Sequence, residues 1–392
     1  MKILCLFGEH QYGNAQRGES TENFSFMPAL RALGHKVTLF DSWNKSLYPD
    51  FFALNCALVD ECNRSRPDII LWVALTVEIW LETLDYLRST LGIRIIHWAP
   101  DDSWKFYQHS QFIASHVDLC VTTYPEFLPS YKKLGAQAIA SGWGVPEEWR
   151  GRFIPASDCR YDVSFIGTAQ QVRKNMIANL NAQGINVICY GYGWPSGIVS
   201  NDKMLEIIRN SRISLNFANS FGSNQTKARI FEITGAGGFL LTQESPGLNL
   251  IFDVGREIIV FNNLVECAAY IRFYLHNEAA RDSIANLGNQ RTQMEYTYTE
   301  RLKKVLSSLP VHPEIIVASF DESDFKQAAM RHKKSCLHRY IAQFFVNIGV
   351  VIFGRERGPR FARRVSFEIS WRVFGKKTYK SSGLVGRMFY EQ

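Results

Sequence analysis

The sequence predicts an α/β protein of two doubly wound, parallel-sheet halves in tandem, followed by a basic helical tail. Three observations lead there. A run closed by glycine, the pattern of a strand buried on both faces of a parallel sheet, occurs at Lys2-Ile3-Leu4-Cys5-Leu6-Phe7-Gly8 and again at Asp162-Val163-Ser164-Phe165-Ile166-Gly167. Each run is answered by a glycine that leads into a further strand, at Gly34-His35-Lys36-Val37-Thr38-Leu39-Phe40 and at Gly184-Ile185-Asn186-Val187-Ile188-Cys189-Tyr190. The chain of 392 residues fits two domains of about 150 residues and a remainder of about 80.

In order along the chain, the first strand enters a polar loop and then a helix with Ser25 as its cap, Pro28 in its first turn, and Met27, Leu30 and Leu33 on its apolar face. Strands follow at Asp68 to Val73, Ile93 to His97 and Leu119 to Thr123, with a helix from Val77 to Leu91. Residues 1–150 thus read as one Rossmann-like domain. The stretch from Val145 to Arg160, with Pro146 and Pro155, reads as a linker, and the second Rossmann-like domain covers 156–310. Two such halves place a cleft between them. A helix from Glu300 to Leu309 closes the second, and the tail occupies 325–392.

Charge divides the same way. Residues 1–310 carry 29 basic against 30 acidic side chains, and residues 311–392 carry 15 against 7, so the whole excess of +7 belongs to the tail. A near-neutral body excludes a protein that coats nucleic acid. The eight cysteines show no C-x-x-C spacing and read as buried thiols of a reducing compartment. The apolar stretch at Ile3 to Gly8 is too short for a signal-peptide core, and no apolar run reaches the 18 to 20 residues of a membrane span, so a cytoplasmic protein is expected.

The segment richest in chemistry runs from Ser214 to Thr242. A strand enters the polar loop Ala218 to Gln225, a helix then carries Lys227, Arg229 and Glu232, and Gly235-Ala236-Gly237-Gly238 ends it. A helix N-terminus beside two cations can hold a diphosphate, and Glu232 can accept from ribose hydroxyls. The alternative is a solvated helix face on which Glu232 pairs with one of the cations. The aromatic loop Tyr190-Gly191-Tyr192-Gly193-Trp194 reads either as a platform for a base or as a turn with one buried tryptophan.

From Tyr161 to Leu302 the chain resembles the second domain of the spore-maturation-type glycosyltransferases, relatives of the group 1 glycosyltransferases with a GT-B fold. The stretches carrying the likeness occur in order: Asp162 to Thr168 with Arg173 after it, Tyr190 to Trp194, Ser214 to Phe217, Lys227 to Gly238, Phe252 to Ile259, and Tyr296 to Arg301. Gly34 to Val37 and Trp98-Ala99-Pro100-Asp101-Asp102 echo the acceptor domain more faintly.

The resemblance implies a GT-B hexosyltransferase whose donor, a nucleotide sugar, binds in the second domain without a cofactor, and since the sequence shows no Asp-x-Asp metal signature no obligatory metal is expected. On that basis Glu232 is the ribose carboxylate, Arg173, Lys227 and Arg229 are the cations on the pyrophosphate, and Gly167, Asn224 and Gly235 belong to the same site. Asn224 is a departure, because many group 1 enzymes carry Glu at that position, so retention or inversion stays open. The implied acceptor is an envelope glycan or a lipid-linked intermediate.

For the acceptor side the candidates are His97, Asp101 and Asp102, with Glu9, His10 and Arg17 in the loop after the first strand. A carboxylate or imidazole there can take the acceptor's proton. Equally, Asp101-Asp102 reads as a helix start, His97 as a packed strand-end histidine, and the loop residues as an ordinary solvated loop. In the tail, an apolar segment from Tyr340 to Gly354 lies between cationic clusters. As a helix of about 15 residues it reaches about 22 Å, short of a bilayer core of about 30 Å. It suits either an anionic membrane surface or packing on the body. Two other functions fit the pattern: a nucleotide-sugar epimerase of the same architecture, and a non-catalytic membrane-surface module.

Overall fold

The computed structural model describes residues 1–217, 227–310, 321–332 and 336–390. The chain divides into two compact units. The first comprises Met1–Asn23, Gly34–Ser141 and Val305–Gln392, and the second Phe24–Leu33 and Gly142–Lys304.

The first unit holds a six-stranded sheet of β1 (Lys2–Phe7), β2 (Lys36–Asp41), β3 (Ile69–Trp72), β4 (Arg94–Ala99), β5 (Leu119–Thr122) and β6 (Ala138–Ala140). The order is β2-β1-β3-β4-β5-β6 and every pairing is parallel. Strands β3 and β5 are buried at every residue, which is why they read as unbroken apolar runs. β6 is only three residues long and half-buried, so neither its length nor its pattern announces a strand.

The helix after β1 spans Thr21–Ala32 and begins ahead of its expected start. Its N-terminal cap is Ser20, whose hydroxyl accepts from the Asn23 N–H at 3.0 Å, so Ser25 and Pro28 lie inside the helix. The helix expected from Val77 is shorter, Leu81–Ser89. The residues ahead of it turn around Glu78, whose carboxylate accepts from the N–H groups of Leu75 (2.6 Å) and Thr76 (2.7 Å).

The second unit holds β7 (Tyr161–Ile166), β8 (Val187–Tyr190), β9 (Ser211–Asn216), β10 (Leu240–Gln243) and β11 (Ile259–Phe261), again all parallel, in the order β11-β10-β9-β7-β8. Its core joins Phe165, Leu215, Phe217, Leu241 and Phe261 of the sheet to Ile271 and Ala285 of the covering helices. Arg281 is buried at the start of the central strand β9, and its guanidinium donates to the carbonyls of Arg212 (2.7 Å), Ile154 (2.8 Å) and Ser211 (3.0 Å). Such full satisfaction is what a buried guanidinium requires.

The tail does not stand apart. It belongs to the first unit, where the helix Glu322–Met330 lays Phe325 on Tyr86, His332 stacks on Trp80, and Tyr379 donates to the Gln108 carbonyl. Ser381 donates to Glu82 through both its N–H and its hydroxyl at 3.1 Å, and Tyr390 meets Phe51 edge to face. The long tail helix, Cys336–Phe374, is interrupted at Gly354, which sits at φ 79, a conformation that favours glycine.

Candidate functional site

In a doubly wound sheet, ligands bind beyond the carboxyl ends of the strands where the strand order reverses. In the second unit that point lies between β7 and β9, because β8 is added on one side of β7 and β9 on the other. Arg173, on the helix Gln171–Ala182, bridges it. Its guanidinium donates to the Thr168 carbonyl after β7 (3.2 Å) and to the Phe217 carbonyl after β9 (2.8 Å), and it lies over the Phe165 ring at 5.4 Å.

Burial, with the positive charge of Arg229 added, lowers the Arg173 pKa to about 10. Two guanidiniums are therefore gathered at one strand-end crevice. Gly167 lies beside them, with its carbonyl accepting from the Trp194 indole at 2.8 Å. A side chain at Gly167 would crowd Phe165 and the Arg173 guanidinium. Trp194 thus braces a turn, while the neighbouring Tyr192 ring is exposed.

The helix Ala228–Gly235 opens at the carboxyl end of the same sheet with Lys227 in extended conformation at its cap position, and Lys227 provides no side-chain cap. Arg229 and Glu232 form an ion pair at 2.7 Å with the carboxylate nearly buried, the arrangement expected of residues three apart on one helix face. The pairing that competes with a ligand role is therefore present. A carboxylate offers about four lone-pair sites, so one arginine contact leaves it able to accept from hydroxyls.

Gly235 is a correction. It ends the helix, about 10 Å along the axis from the first turn. A Cβ there would overlap Val145, and its carbonyl accepts from Asn289 at 3.0 Å. It is a packing glycine and does not face the crevice. Asn224 and the polar loop Ala218 to Gln225 lie outside the described residues.

In the first unit the order reverses between β1 and β3. His97 is corrected by its surroundings. It is 1% exposed within β4, tilted between Trp72 (4.9 Å) and His109 (5.7 Å), with no hydrogen-bond partner at Nδ1. Burial lowers its pKa to about 3, so it stays neutral and enclosed and cannot present itself to an acceptor. Asp102 is likewise 1% exposed, and its two oxygens accept from Ser110 (2.6 Å) and Tyr131 (2.7 Å). Burial raises its pKa, and its role is to tie helix to strand.

Asp101 remains half-buried at the end of β4, its carbonyl accepting from Trp104 and Lys105. The sequence reading missed Glu22. This residue is buried in the first turn of its helix, in electrostatic contact with Asp101 and Lys105, and burial raises its pKa to about 7. The available signal was an acid immediately after the loop that leaves the first strand. In that loop, Glu9 and His10 bring ligand atoms within 4.8 Å of one another and of Asp41 at the end of β2, and Arg17 lies over Tyr12 at 5.3 Å.

Residues 171–307 match a protein-family model described as glycosyl transferase-like. No curated protein is similar to the chain in sequence. Among solved structures, a sucrose-phosphate synthase from Thermosynechococcus elongatus is similar at TM-score 0.57 and 12% identity, covering 79% of this chain and 99% of that one. HepE from Anabaena, solved with UDP, is similar at 0.54 and 11%, covering 79% of this chain and all of that one. The β-glucosyltransferase of phage T4 stands at 0.50 and 12%, with 79% and 100% covered.

The two parallel-sheet units are thus consistent with a GT-B architecture, and residues 171–307 are similar to the glycosyl transferase-like family. That stretch contains Arg173, Lys227, Arg229 and Glu232.

Proposed function

We propose that the protein transfers a hexosyl group from a nucleoside-diphosphate sugar to an envelope glycan or lipid-linked acceptor, as an enzyme of the spore-maturation type. The observation that supports this reading is Arg173 bridging the carboxyl ends of β7 and β9 with the charge of Arg229 near it, in a chain whose residues 171–307 match a glycosyl transferase-like model. HepE, which shares the fold, has also been solved with UDP-glucose.

In the reaction, an acceptor hydroxyl attacks the anomeric carbon, the bond from that carbon to the diphosphate oxygen breaks, and the diphosphate leaves with the electron pair. The cations and the first-turn N–H groups of the helix at Ala228 stabilise the charge that develops on the diphosphate, so the step runs without a metal. Glu232 accepts from the ribose hydroxyls. Asp101, the half-buried member of the acidic pair, is the candidate to take the acceptor's proton.

The test is release of nucleoside diphosphate from a panel of nucleotide sugars, with and without an added glycan or polyprenol-linked acceptor. Glu232→Ala and Lys227→Ala should each lower turnover at least about a hundredfold, the loss expected from removing groups that act on developing charge. Unchanged turnover in both variants would overturn the site assignment. Conversion of the donor to another nucleotide sugar without acceptor would make the protein an epimerase.

A further inference from the structure

The first arm of the long tail helix, residues 336–353, carries two apolar faces, and only one is used within the protein. On one side Ala342, Phe345 and Val346 pack into a small cluster with Ala362, Val385 and Phe389, and Gly349 meets the Gly358 backbone so closely that neither position has room for a Cβ. The contact folds the helix into a hairpin about Gly354, with Phe353 against Phe361 at 4.5 Å.

On the other side Leu337, Tyr340, Phe344, Ile348, Val351 and Ile352 are all exposed, Val351 to 86% and Tyr340 to 74%. At about 100° per residue these six fall within a sector of about 120°, separate from the packed face. This is a continuous apolar stripe about 23 Å long, more than scattered surface hydrophobes would make.

Its charge setting points to the partner. Between Arg331 and Phe367 the sequence has nine lysines and arginines against one acid, Glu356. Arg339, Arg355, Arg357, Arg360 and Arg364 are exposed. Two copies meeting stripe to stripe would bring these cations together, which disfavours self-association.

By length and composition the helix from Leu337 to Tyr379 is apolar enough to cross a membrane. The helix is nevertheless broken at Gly354, and one side of its first arm packs on Ala362, Val385 and Phe389, so it is not one straight span. A helix with one face held by protein, an apolar stripe opposite, and cations at its end fits the headgroup boundary.

We propose that this hairpin docks the protein flat on an anionic phospholipid bilayer, with the stripe in the acyl boundary and the arginines among the headgroups. The idea does not depend on the catalytic reading, since it uses none of the site residues. Full-length protein is mixed with phosphatidylcholine vesicles with or without 30% phosphatidylglycerol, a composition of about one anionic lipid in three, and bound protein is measured by flotation.

The expected result is binding to the anionic vesicles only, weakened by high salt. Val351→Glu with Ile352→Glu should lower partitioning at least about tenfold. Arg355→Ala with Arg357→Ala and Arg360→Ala should lower it about a hundredfold. Because these side chains are exposed, both variants should keep the wild-type melting temperature. Failure to bind anionic vesicles, binding that survives both variants, or resistance to alkaline carbonate extraction as for a spanning helix would each overturn the proposal. So would a solution dimer that the Val351→Glu, Ile352→Glu variant abolishes.

Discussion

At the scale of single residues, Glu22 makes a sharp statement about pH. Its folded pKa is raised from 4.5 to about 7, chiefly by burial, with Asp101 adding to the rise. In the unfolded chain the carboxyl loses its proton near its ordinary value, so between pH 4.5 and 7 the folded state holds a proton that the unfolded state has released. The stability this group contributes is complete below about 4.5 and is lost as pH rises through about 7. At about 1.36 kcal/mol per unit, the loss is of the order of 3 kcal/mol. Glu22→Gln should therefore gain on the wild-type protein by that order between pH 5 and pH 8 in urea unfolding. An equal difference at both values would show that Glu22 is not buried as an acid.

The same scale shows what the sequence could single out. Arg173, Lys227, Arg229 and Glu232 stand out as candidates because their order in the chain carries a family likeness. His97 and Asp102 share the residue types and strand-end placement of catalytic groups, and only packing distinguishes them. Trp72 and His109 enclose the imidazole, and Ser110 and Tyr131 occupy the carboxylate. Glu22 went unread because its burial depends on residues far along the chain.

At the scale of elements, the helix Ala228–Gly235 is fixed at both ends by different physics. Its start lies beside the cations, and its end is pinned where Gly235 meets Val145 and the amide of Asn289. Gly235→Ala should cost about 1–3 kcal/mol through overpacking, and Val145→Ala in the same chain should recover part of it. Additive losses in thermal unfolding would refute the contact.

Strands buried on both faces were readable as apolar runs. β6 was too short to read, and the start of the first helix was misplaced because the cap is Ser20, whose hydroxyl accepts from the Asn23 N–H, and not Ser25. The tail's apolar segment was visible, but its hairpin depends on Gly349 meeting Gly358, a contact that no local pattern encodes.

At the scale of the whole molecule, composition separated a near-neutral body from a cationic tail, but it could not show that the tail completes the first unit. Phe325, His332, Tyr379 and Tyr390 cover Tyr86, Trp80, Phe112 and Phe51. Deleting residues 322–392 should cost several kcal/mol and lower the Tm by about 10 °C or more, or leave the protein insoluble. A truncated protein that melts with the full chain would mean the tail is detachable.

The catalytic reading rests on a diphosphate held at the carboxyl ends of β7 and β9, and its most direct measurement is calorimetric titration of the full-length protein with nucleoside diphosphates. At least one should bind, with an affinity reduced at least about tenfold by both Lys227→Ala and Glu232→Ala. Absence of binding by every nucleoside diphosphate, or binding that neither substitution weakens, would contradict it.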